Sequence, residues 1–298
     1  MRITLVTPTL NAGRYLAEAL ASVRSQQWPD VEHIVMDGGS TDDTLEILGR
    51  DSTARVESGA DSGLYDAINR GVGLASGDVV GFLNADDVLA PGALAAVGHA
   101  FVAHPGAEMV AGGGEVFRET ASGSETLVHV NDNGAKALRE QDIIHGSPFL
   151  NARFFRRELL ERVGPFDTRW RRCADFDLLM RVLHANPERA VVDQIVYRSR
   201  AHAGSLTFRG GLEVELTEEQ LALCTARLDE TRETPALHRR YRRWHSWEAT
   251  YLAWRQILAG RYSEAARSLG NGLAVDPLLP VVVPMQIAQH LRMRAQHR

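Results

Sequence analysis

Runs of apolar residues alternate in the N-terminal part of the chain with stretches in which apolar residues recur at helical spacing. Short apolar runs bounded by turn residues predict buried β-strands, and helical spacing predicts amphipathic helices. Strands that alternate with helices favour a mostly parallel central sheet flanked by helices, so we expect an α/β fold. The first predicted strands are "RITLVTPT", "VEHIVMDGGS", "ARVES" and "VVGFLN".

Residues that favour helix starts locate several of the intervening helices. Asn11 is a residue type that caps helices, and we expect it to begin a helix that runs through Ser25. Pro91 is expected to open another helix, which ends at about His104. Between them, "LYDAINRGVGLA" predicts a third helix.

The pattern changes after about residue 108. The segments "EMVAGGGEVF", "SETLVHV" and "HGSPFL" each predict a short strand. A helix near residues 156–163, a helix in "CADFDLLMRVLHA" and a last strand in "RAVVDQIVYR" follow. The rest of the chain is helical in pattern and rich in Arg and Glu. We therefore expect an α/β domain over residues 1–210 and a helical C-terminal region over residues 211–298.

Composition and charge narrow the class of protein. The formal net charge is −5, so nothing suggests broad binding of nucleic acid. Two cysteines in 298 residues do not form a disulfide framework, which favours a reducing compartment. The N-terminus lacks the pattern of a signal peptide, and no run reaches the ~18 apolar residues that span a bilayer. A cytoplasmic protein is expected, with the inner membrane face as a second site of contact.

Polar residues gather where two of the predicted strands end. Asp37 closes the second strand, and Asn84, Asp86 and Asp87 follow the fourth. Ligands of open α/β sheets bind beyond the carboxyl ends of the strands. Adjacent carboxylates raise each other's pKa unless a cation neutralises them, and Mg²⁺ and Mn²⁺ prefer oxygen ligands. A metal site is one interpretation; a polar turn that caps the helix at Pro91 is the other.

Several motifs in a fixed order carry a family resemblance. They are "TPTLNAG", "DGGSTDDT", "DSGLYDAINRG", "GFLNADD", "HGSPFL" and "GPFDTRWRRCADFDLLMRV". Together they closely resemble the family 2 glycosyltransferases of the GT-A fold, over about residues 3 to 205. The resemblance implies a Rossmann-like GT-A domain with a C-terminal helical extension. It also implies inverting transfer of a sugar from a nucleotide-sugar, with UDP expected, to a hydroxyl acceptor in cell-surface polysaccharide or glycolipid synthesis.

The resemblance assigns donor and metal roles by matching position. The motif Asn84–Asp86 stands where the family has Asp-x-Asp, and Asn84 departs from that pattern because it brings no charge. Asp86 is the expected main ligand of Mn²⁺ or Mg²⁺, with Asp87 and His202 as further candidates. The donor-binding residues implied are Thr7, Pro8, Thr9, Asp37, Asp61, Asn69, Asn84, Ala85 and Asp86.

The catalytic base is expected at Asp175, since "ADFDLLMR" matches the family's segment that carries it. A helix N-cap is the alternative role of Asp175, and Asp177 is the rival base. His145 and Arg172 are expected on the acceptor side, although both residue types often serve only structure or solubility.

Two other functions are compatible with the same arrangement of sheet and acids. A sugar nucleotidyltransferase normally has a Gly-rich, Arg- or Lys-bearing loop after the first strand, which "TPTLNAGRY" lacks. A non-catalytic sugar- or partner-binding module is kept open by Asn84. For residues 211–298 we expect packing on the catalytic domain, a homo-oligomer interface or contact with a membrane surface.

Overall fold

The computed structural model describes residues 1–119, 125–131, 138–145, 149–202, 204 and 212–277. The strands in this part of the chain are β1 (Ile3–Thr9), β2 (Val31–Asp37), β3 (Ala54–Ser58), β4 (Val79–Phe82), β5 (Val88–Leu89), β6 (Met109–Glu119), β7 (Glu125–Asn131), β8 (Arg153–Arg156) and β9 (Arg189–Arg200). The helices are α1 (Leu16–Arg24), α2 (Thr44–Gly49), α3 (Leu64–Leu74), α4 (Ala93–Ala103), α5 (Glu140–His145), α6 (Arg157–Val163), α7 (Ala174–Ala185), α8 (Leu212–Glu230), α9 (Pro235–Leu258) and α10 (Tyr262–Val275).

The strands form one sheet in the order β3-β2-β1-β4-β8-β6-β9-β5, with β7 paired to β6. Strands β3, β2, β1 and β4 are mutually parallel, whereas β8 pairs antiparallel with both β4 and β6. In the β1–β2 register Thr9 lies beside Asp37, so both strands end at the same edge of the sheet. The mostly parallel α/β sheet predicted from the sequence, with a helical C-terminal region, is confirmed.

The core explains why the parallel strands are apolar on both faces. Every residue of β1 is buried, and Ile3 and Leu5 pack in one cluster with Val79 of β4 and Phe101 of α4. On the opposite face Val6 approaches α3 so closely that only glycine fits at position 71. Burial of both faces fixes the strand ends rigidly in space.

Two local expectations differ from the structure. The segment "HGSPFL", predicted as a strand, begins at the end of helix α5, and the nearby strand is β8 instead; residues 146–148 lie outside the described part. Asn11 does not cap α1, whose N-cap residue is Tyr15. The Asn11 side chain instead accepts a hydrogen bond from the backbone N–H of Thr41 at 2.8 Å, because its left-handed backbone turns it toward that loop.

The chain divides into two compact units, one of Met1–Asp142 with Ser147–Phe208 and one of Ile143–Gly146 with Arg209–Arg298. In the second unit Trp244 is buried on α9 and donates its indole N–H to Glu248 at 3.0 Å. Burial raises the pKa of Glu248 to about 8, although the bond from Trp244 opposes that rise. No helix among the described residues has the length and apolar character needed to cross a membrane.

Two glycines of α3 provide a matched test of this packing. A Cβ at Gly71 would lie 2.4 Å from Val6 Cγ1 and 3.1 Å from Met36 Cγ, whereas a Cβ at Gly73 would meet nothing within 4 Å. We expect Gly71→Ala to destabilise the fold by about 1–3 kcal/mol through overpacking. Gly73→Ala should stabilise it by about 0.5–1 kcal/mol, because alanine favours helix. Denaturant unfolding measures both; equal effects of the two substitutions would contradict the packing described.

Candidate active site

Asp37 lies at the end of β2 with only 2% of its surface exposed. Its carboxylate accepts hydrogen bonds from the hydroxyls of Ser40 and Ser58 and from the backbone N–H groups of Gly39 and Ser40. Burial alone would raise the pKa of Asp37, but these hydrogen bonds outweigh it and hold the pKa below its usual value. Asp37 is therefore a fixed, ionised acceptor at the sheet edge.

Asp61 stands beside this strand end. A Cβ at Gly38 would lie 2.7 Å from Asp61 Oδ2, so glycine is required there for the carboxylate to come so near the chain after β2. Asp61 also accepts a hydrogen bond from the N–H of Gly63 at 2.9 Å, at the start of α3. The start of α3 therefore lies close to the Asp37 loop.

The strand-end segment Thr7–Thr9 is buried throughout. The Thr7 hydroxyl lies 2.9 Å from His33 Nε2 on the neighbouring strand β2. Thr7 thus has a partner inside the sheet. Pro8 and Thr9 carry the chain to the edge at which Asp37 lies.

The two adjacent acids in the turn after β4, Asp86 and Asp87, have different surroundings. Asp87 is 2% exposed and points inward, where it accepts hydrogen bonds from the Tyr197 hydroxyl at 2.5 Å, the Arg200 N–H at 2.7 Å and the Asn84 amide at 3.1 Å. Burial and then the charge of Asp86 raise the pKa of Asp87 to about 7, against these three donors. The structure favours a positioning role for Asp87 over direct binding of a metal.

Asp86 is the partly exposed acid of this turn. Its Oδ2 lies 2.9 Å from Nε2 of His202, which follows the end of β9, and the His202 ring packs 4.8 Å from that of Tyr15. Arg200 Nε donates to the backbone carbonyl of Asp86 at 3.0 Å. Ala85 is buried in the core beneath. The side chains of Asp86 and His202, predicted separately from the sequence, are therefore brought together.

Oxygen and imidazole donors suit a divalent cation, and the Asp86–His202 pair supplies one of each. Among the residues that the structure describes, no cluster of three or more such side chains is positioned to hold a metal ion. A cation here would need further oxygen ligands from water or a bound substrate, which is the usual arrangement for Mg²⁺ at a diphosphate.

Asn69 of α3 has a clear structural partner. Its amide donates to the Phe166 carbonyl at 2.8 Å, and its carbonyl oxygen accepts from the Phe166 N–H at 2.9 Å. This two-way bond holds the segment before α7 against α3. Asn69 therefore has a structural role, and its expected role in donor binding stays a prediction.

Asp175 and Asp177 differ sharply in their surroundings. Asp175 lies in the first turn of α7, is partly exposed, and accepts a hydrogen bond from the Tyr65 hydroxyl at 3.0 Å. The helix begins after Cys173, so Asp175 is not its N-cap. Asp177 is fully buried and forms an ion pair at 3.0 Å with Arg181, which also binds carbonyl groups before α7. Asp177 is therefore held within the fold, whereas Asp175 is partly exposed and bonded to Tyr65.

A cleft of about 290 Å³ opens between the start of α3 and the loop before α7. Tyr65 and Asp66 line one side, and Trp170, Arg171 and Arg172 line the other. The Asp167 carboxylate fixes this loop, since it accepts hydrogen bonds from the Arg169 guanidinium and the Trp170 indole. Arg172 therefore lies in a cleft next to Tyr65, the partner of Asp175. His145 ends helix α5, and its side chain is outside the described part.

The sequence analysis missed the residues that hold the acids in place. Tyr65, Tyr197 and Arg200 are separated by more than a hundred positions from the acids they contact. Motif matching found Tyr65 inside "DSGLYDAINRG" but gave it no role. Tyr197 lies in a predicted strand and Arg200 just beyond it, and neither carried a signal of its own.

Solved structures share this architecture. TarS 1–349 of S. aureus, in complex with UDP-GlcNAc, matches with a TM-score of 0.71 and 18% identity, over 95% of this chain and 84% of that one. Mannosyltransferase PcManGT of Pyrobaculum calidifontis, in complex with GDP-Man and Mn²⁺, matches with a TM-score of 0.56 and 20% identity, over 96% and 84% of the two chains. The fold is the GT-A fold of glycosyltransferases, as predicted.

The family described as "Glycosyl transferase family 2" matches residues 4–164, so the chain belongs to it and is a glycosyltransferase. A Mycobacterium tuberculosis protein named "PGL/p-HBAD biosynthesis glycosyltransferase" is 33% identical over 195 residues, 62% of this chain and 70% of that protein. The "O-antigen biosynthesis protein RfbC" of Myxococcus xanthus is 31% identical over 218 residues, 70% of this chain and 16% of that protein. The resemblance predicted from the motifs is confirmed.

The His33–Thr7 pair under the site predicts a pH dependence of stability. Burial lowers the pKa of His33 from 6.5 to about 4; the charge of Asp51 opposes this to a smaller extent, and the charge of Arg24 adds to it. As pH falls from about 6.5 to about 4, the unfolded chain takes up the proton first, so the free energy of unfolding should fall by up to about 3 kcal/mol. His33→Gln, which cannot titrate, should remove this part of the dependence.

Denaturant unfolding of both proteins at about pH 7.5 and about pH 4.5 isolates the histidine, because all other titrating groups are shared. Between the two pH values the wild-type protein should lose more unfolding free energy than His33→Gln. The difference in stability between the two proteins should therefore change in favour of the variant at the lower pH. Parallel pH profiles would contradict a neutral, buried His33.

Proposed function

We propose that the chain transfers a single sugar, with inversion, from a nucleoside-diphosphate sugar to an acceptor hydroxyl. The observations that carry the proposal are two acids, Asp37 and Asp86, at one edge of the sheet, and a third, Asp175, that is hydrogen-bonded to helix α3. Parallel pairing of β1 with β2 and β4 sets Asp37 and Asp86 at that edge. The Tyr65 bond joins Asp175 to α3, and Asp61, just before that helix, lies close to Gly38 in the Asp37 loop.

On the donor side, we propose that Asp37 accepts hydrogen bonds from the nucleoside base, with the Thr7–Thr9 segment and Asp61 beside the nucleoside. A carboxylate kept ionised by four donors is suited to bind base N–H groups. The fold relatives support a nucleotide-sugar donor, because TarS is solved with UDP-GlcNAc and PcManGT with GDP-Man. UDP is the nucleotide that we propose.

Asp175 is the proposed general base. It takes the proton of the acceptor hydroxyl while that oxygen attacks the anomeric carbon, and the nucleoside diphosphate leaves from the opposite face. One direct displacement of this kind inverts the anomeric centre. Asp177 is set aside as the base because it is buried in its ion pair with Arg181. The cleft with Trp170 and Arg172 is the proposed acceptor side.

Asp86 and His202 would hold a divalent cation, Mn²⁺ or Mg²⁺, with Asn84 beside it. The cation would stabilise the charge that builds on the leaving diphosphate. The Mn²⁺ bound to PcManGT supports this proposal. In this chain the Arg200 bond to the Asp86 carbonyl fixes the turn on which the carboxylate stands.

We propose residues 1–210 as the catalytic domain and residues 211–298 as a region for packing, self-association or contact with the inner membrane face. Saccharide or lipid-linked acceptors are proposed, since one relative is named for PGL/p-HBAD biosynthesis and another for O-antigen biosynthesis. A sugar nucleotidyltransferase and a non-catalytic module are less favoured, because the named relatives are glycosyltransferases.

The base assignment is tested by Asp175→Asn. Thermal-shift screening of UDP- and GDP-linked sugars with Mn²⁺ first identifies the donor, because a ligand of the folded state raises its melting temperature. Asp175→Asn should leave the affinity for that donor nearly unchanged and lower release of nucleoside diphosphate by roughly 10²–10⁴. Asp177→Asn is the matched control and should chiefly lower the melting temperature. Turnover near wild type in Asp175→Asn would overturn the assignment.

The metal role is tested by Asp86→Ala and by chelation. With Mn²⁺ or Mg²⁺ present, Asp86→Ala should weaken donor binding measured by calorimetry, because the cation would lose its charged ligand. Removal of metal from the unmutated protein with EDTA should weaken donor binding to a similar degree and should change little in the variant. If EDTA leaves donor binding and turnover of the unmutated protein unchanged, the metal proposal fails.

A further inference from the structure

Tyr65 makes a contact that the family motifs do not explain. It lies in the first turn of α3 with 8% of its surface exposed, and its hydroxyl donates to Asp175 Oδ1 at 3.0 Å. The two residues are 110 positions apart in the chain. The bond therefore connects the donor-side helix α3 to the carboxylate at the start of α7.

The position of the Tyr65 hydroxyl is fixed independently of Asp175. The Tyr65 ring stacks on Phe166, with ring centroids 5.3 Å apart and an angle of 18° between the planes. Phe82 of β4 packs edge-on against the same Phe166 ring at 5.5 Å. Asn69 holds the Phe166 backbone by two hydrogen bonds. The sheet and α3 together therefore fix the position of the Tyr65 hydroxyl.

Tyr65 keeps its proton, and so can donate a hydrogen bond, throughout the pH range in which a carboxylate can act as a base. Burial, and after it the charge of Asp175, raises the pKa of Tyr65 well above its usual value. A phenol that keeps its proton stabilises the charged form of the carboxylate that accepts it. Restricting one carboxylate oxygen also limits rotation of the group, which favours a single orientation toward a bound hydroxyl.

We propose that Tyr65 is the positioning residue of the general base: it orients the Asp175 carboxylate and keeps it ionised. This inference rests on the proposed role of Asp175 as base. Tyr65 acts only through Asp175 and touches no reacting atom.

Other charged and titratable groups surround this bond. Asp66 on α3 and Arg171 and Arg172 on the facing loop line the same cleft as Tyr65. Cys173 lies just before α7 and interacts electrostatically with Tyr65. On α7 itself, Asp177 is buried in its ion pair with Arg181. Substitution of the Tyr65 hydroxyl alone leaves all of these charges in place, so a changed titration reports the lost bond.

Tyr65→Phe is the test, because it removes the hydroxyl and keeps the ring that stacks on Phe166. The first readout is an NMR titration of protein labelled with ¹³C-aspartate, and it needs no sugar acceptor. The carboxyl resonance that is absent from the spectrum of Asp175→Asn belongs to Asp175. Its titration midpoint should move up by about one pH unit or more in Tyr65→Phe, the size expected for loss of one hydrogen bond to a charged group. An unchanged midpoint would overturn the proposal.

The second readout is the pH profile of kcat/KM for release of nucleoside diphosphate, with the donor found by screening and water as acceptor. The acidic limb should move to higher pH by the same amount, kcat should fall by about tenfold or more, and donor affinity should stay unchanged. A lower melting temperature with an unmoved acidic limb would show a merely structural bond.

The double variant separates this inference from the proposed function. If Tyr65 acts through Asp175, adding Tyr65→Phe to Asp175→Asn should change the residual turnover by less than about twofold. A further tenfold loss would show that Tyr65 acts elsewhere. If Asp175→Asn itself keeps full turnover, the proposed base fails, whereas a shifted ¹³C titration would still confirm the bond's effect on the carboxylate.

Discussion

The buried carboxylate of Asp87 is the constraint on which the donor side of the site depends. Three donors converge on it, from Tyr197 and Arg200 on β9 and from Asn84 in its own turn. A buried polar group without partners is costly, so these bonds stabilise the packed turn. Once they form, the turn after β4 is tied to the far side of the sheet. Asp86, the next residue back, is then held at the sheet edge and can face a ligand.

The sheet and its polar edge could be predicted because they depend on local pattern. Buried parallel strands are rich in apolar residues, and their carboxyl ends must meet at one edge, so Asp37 and Asp86 were expected at the same edge of the sheet. Helix starts were less well predicted. Asn11 has the right chemistry for a helix cap, yet its side chain accepts a hydrogen bond from the backbone N–H of Thr41 instead. Capping rules describe an isolated helix end, and here a tertiary partner competes for the same oxygen.

The positioning contacts could not be predicted, because they join segments far apart in the sequence. Helix α3 shows this most clearly: Asp61 at its start lies close to Gly38 after β2, Asn69 holds the Phe166 backbone, and Tyr65 reaches Asp175. The motif "DSGLYDAINRG" indicated that this helix matters on the donor side. Only the packed structure shows that the same helix also bonds to Asp175, so that the proposed donor and base sites share one element.

The same packing accounts for Asn84, where the family pattern has an acid. The Asn84 amide donates to Asp87 at 3.1 Å, and a carboxylate at that position could not donate. An aspartate there would place a third negative charge in a turn where burial and Asp86 already raise the pKa of Asp87 to about 7. The amide therefore lets the buried acid keep its bonds to β9 and leaves Asp86 as the charged group that faces outward. The loss of one acid from the motif is consistent with the proposed cation site at Asp86 and His202, because Asp86 remains as the acid that is partly exposed.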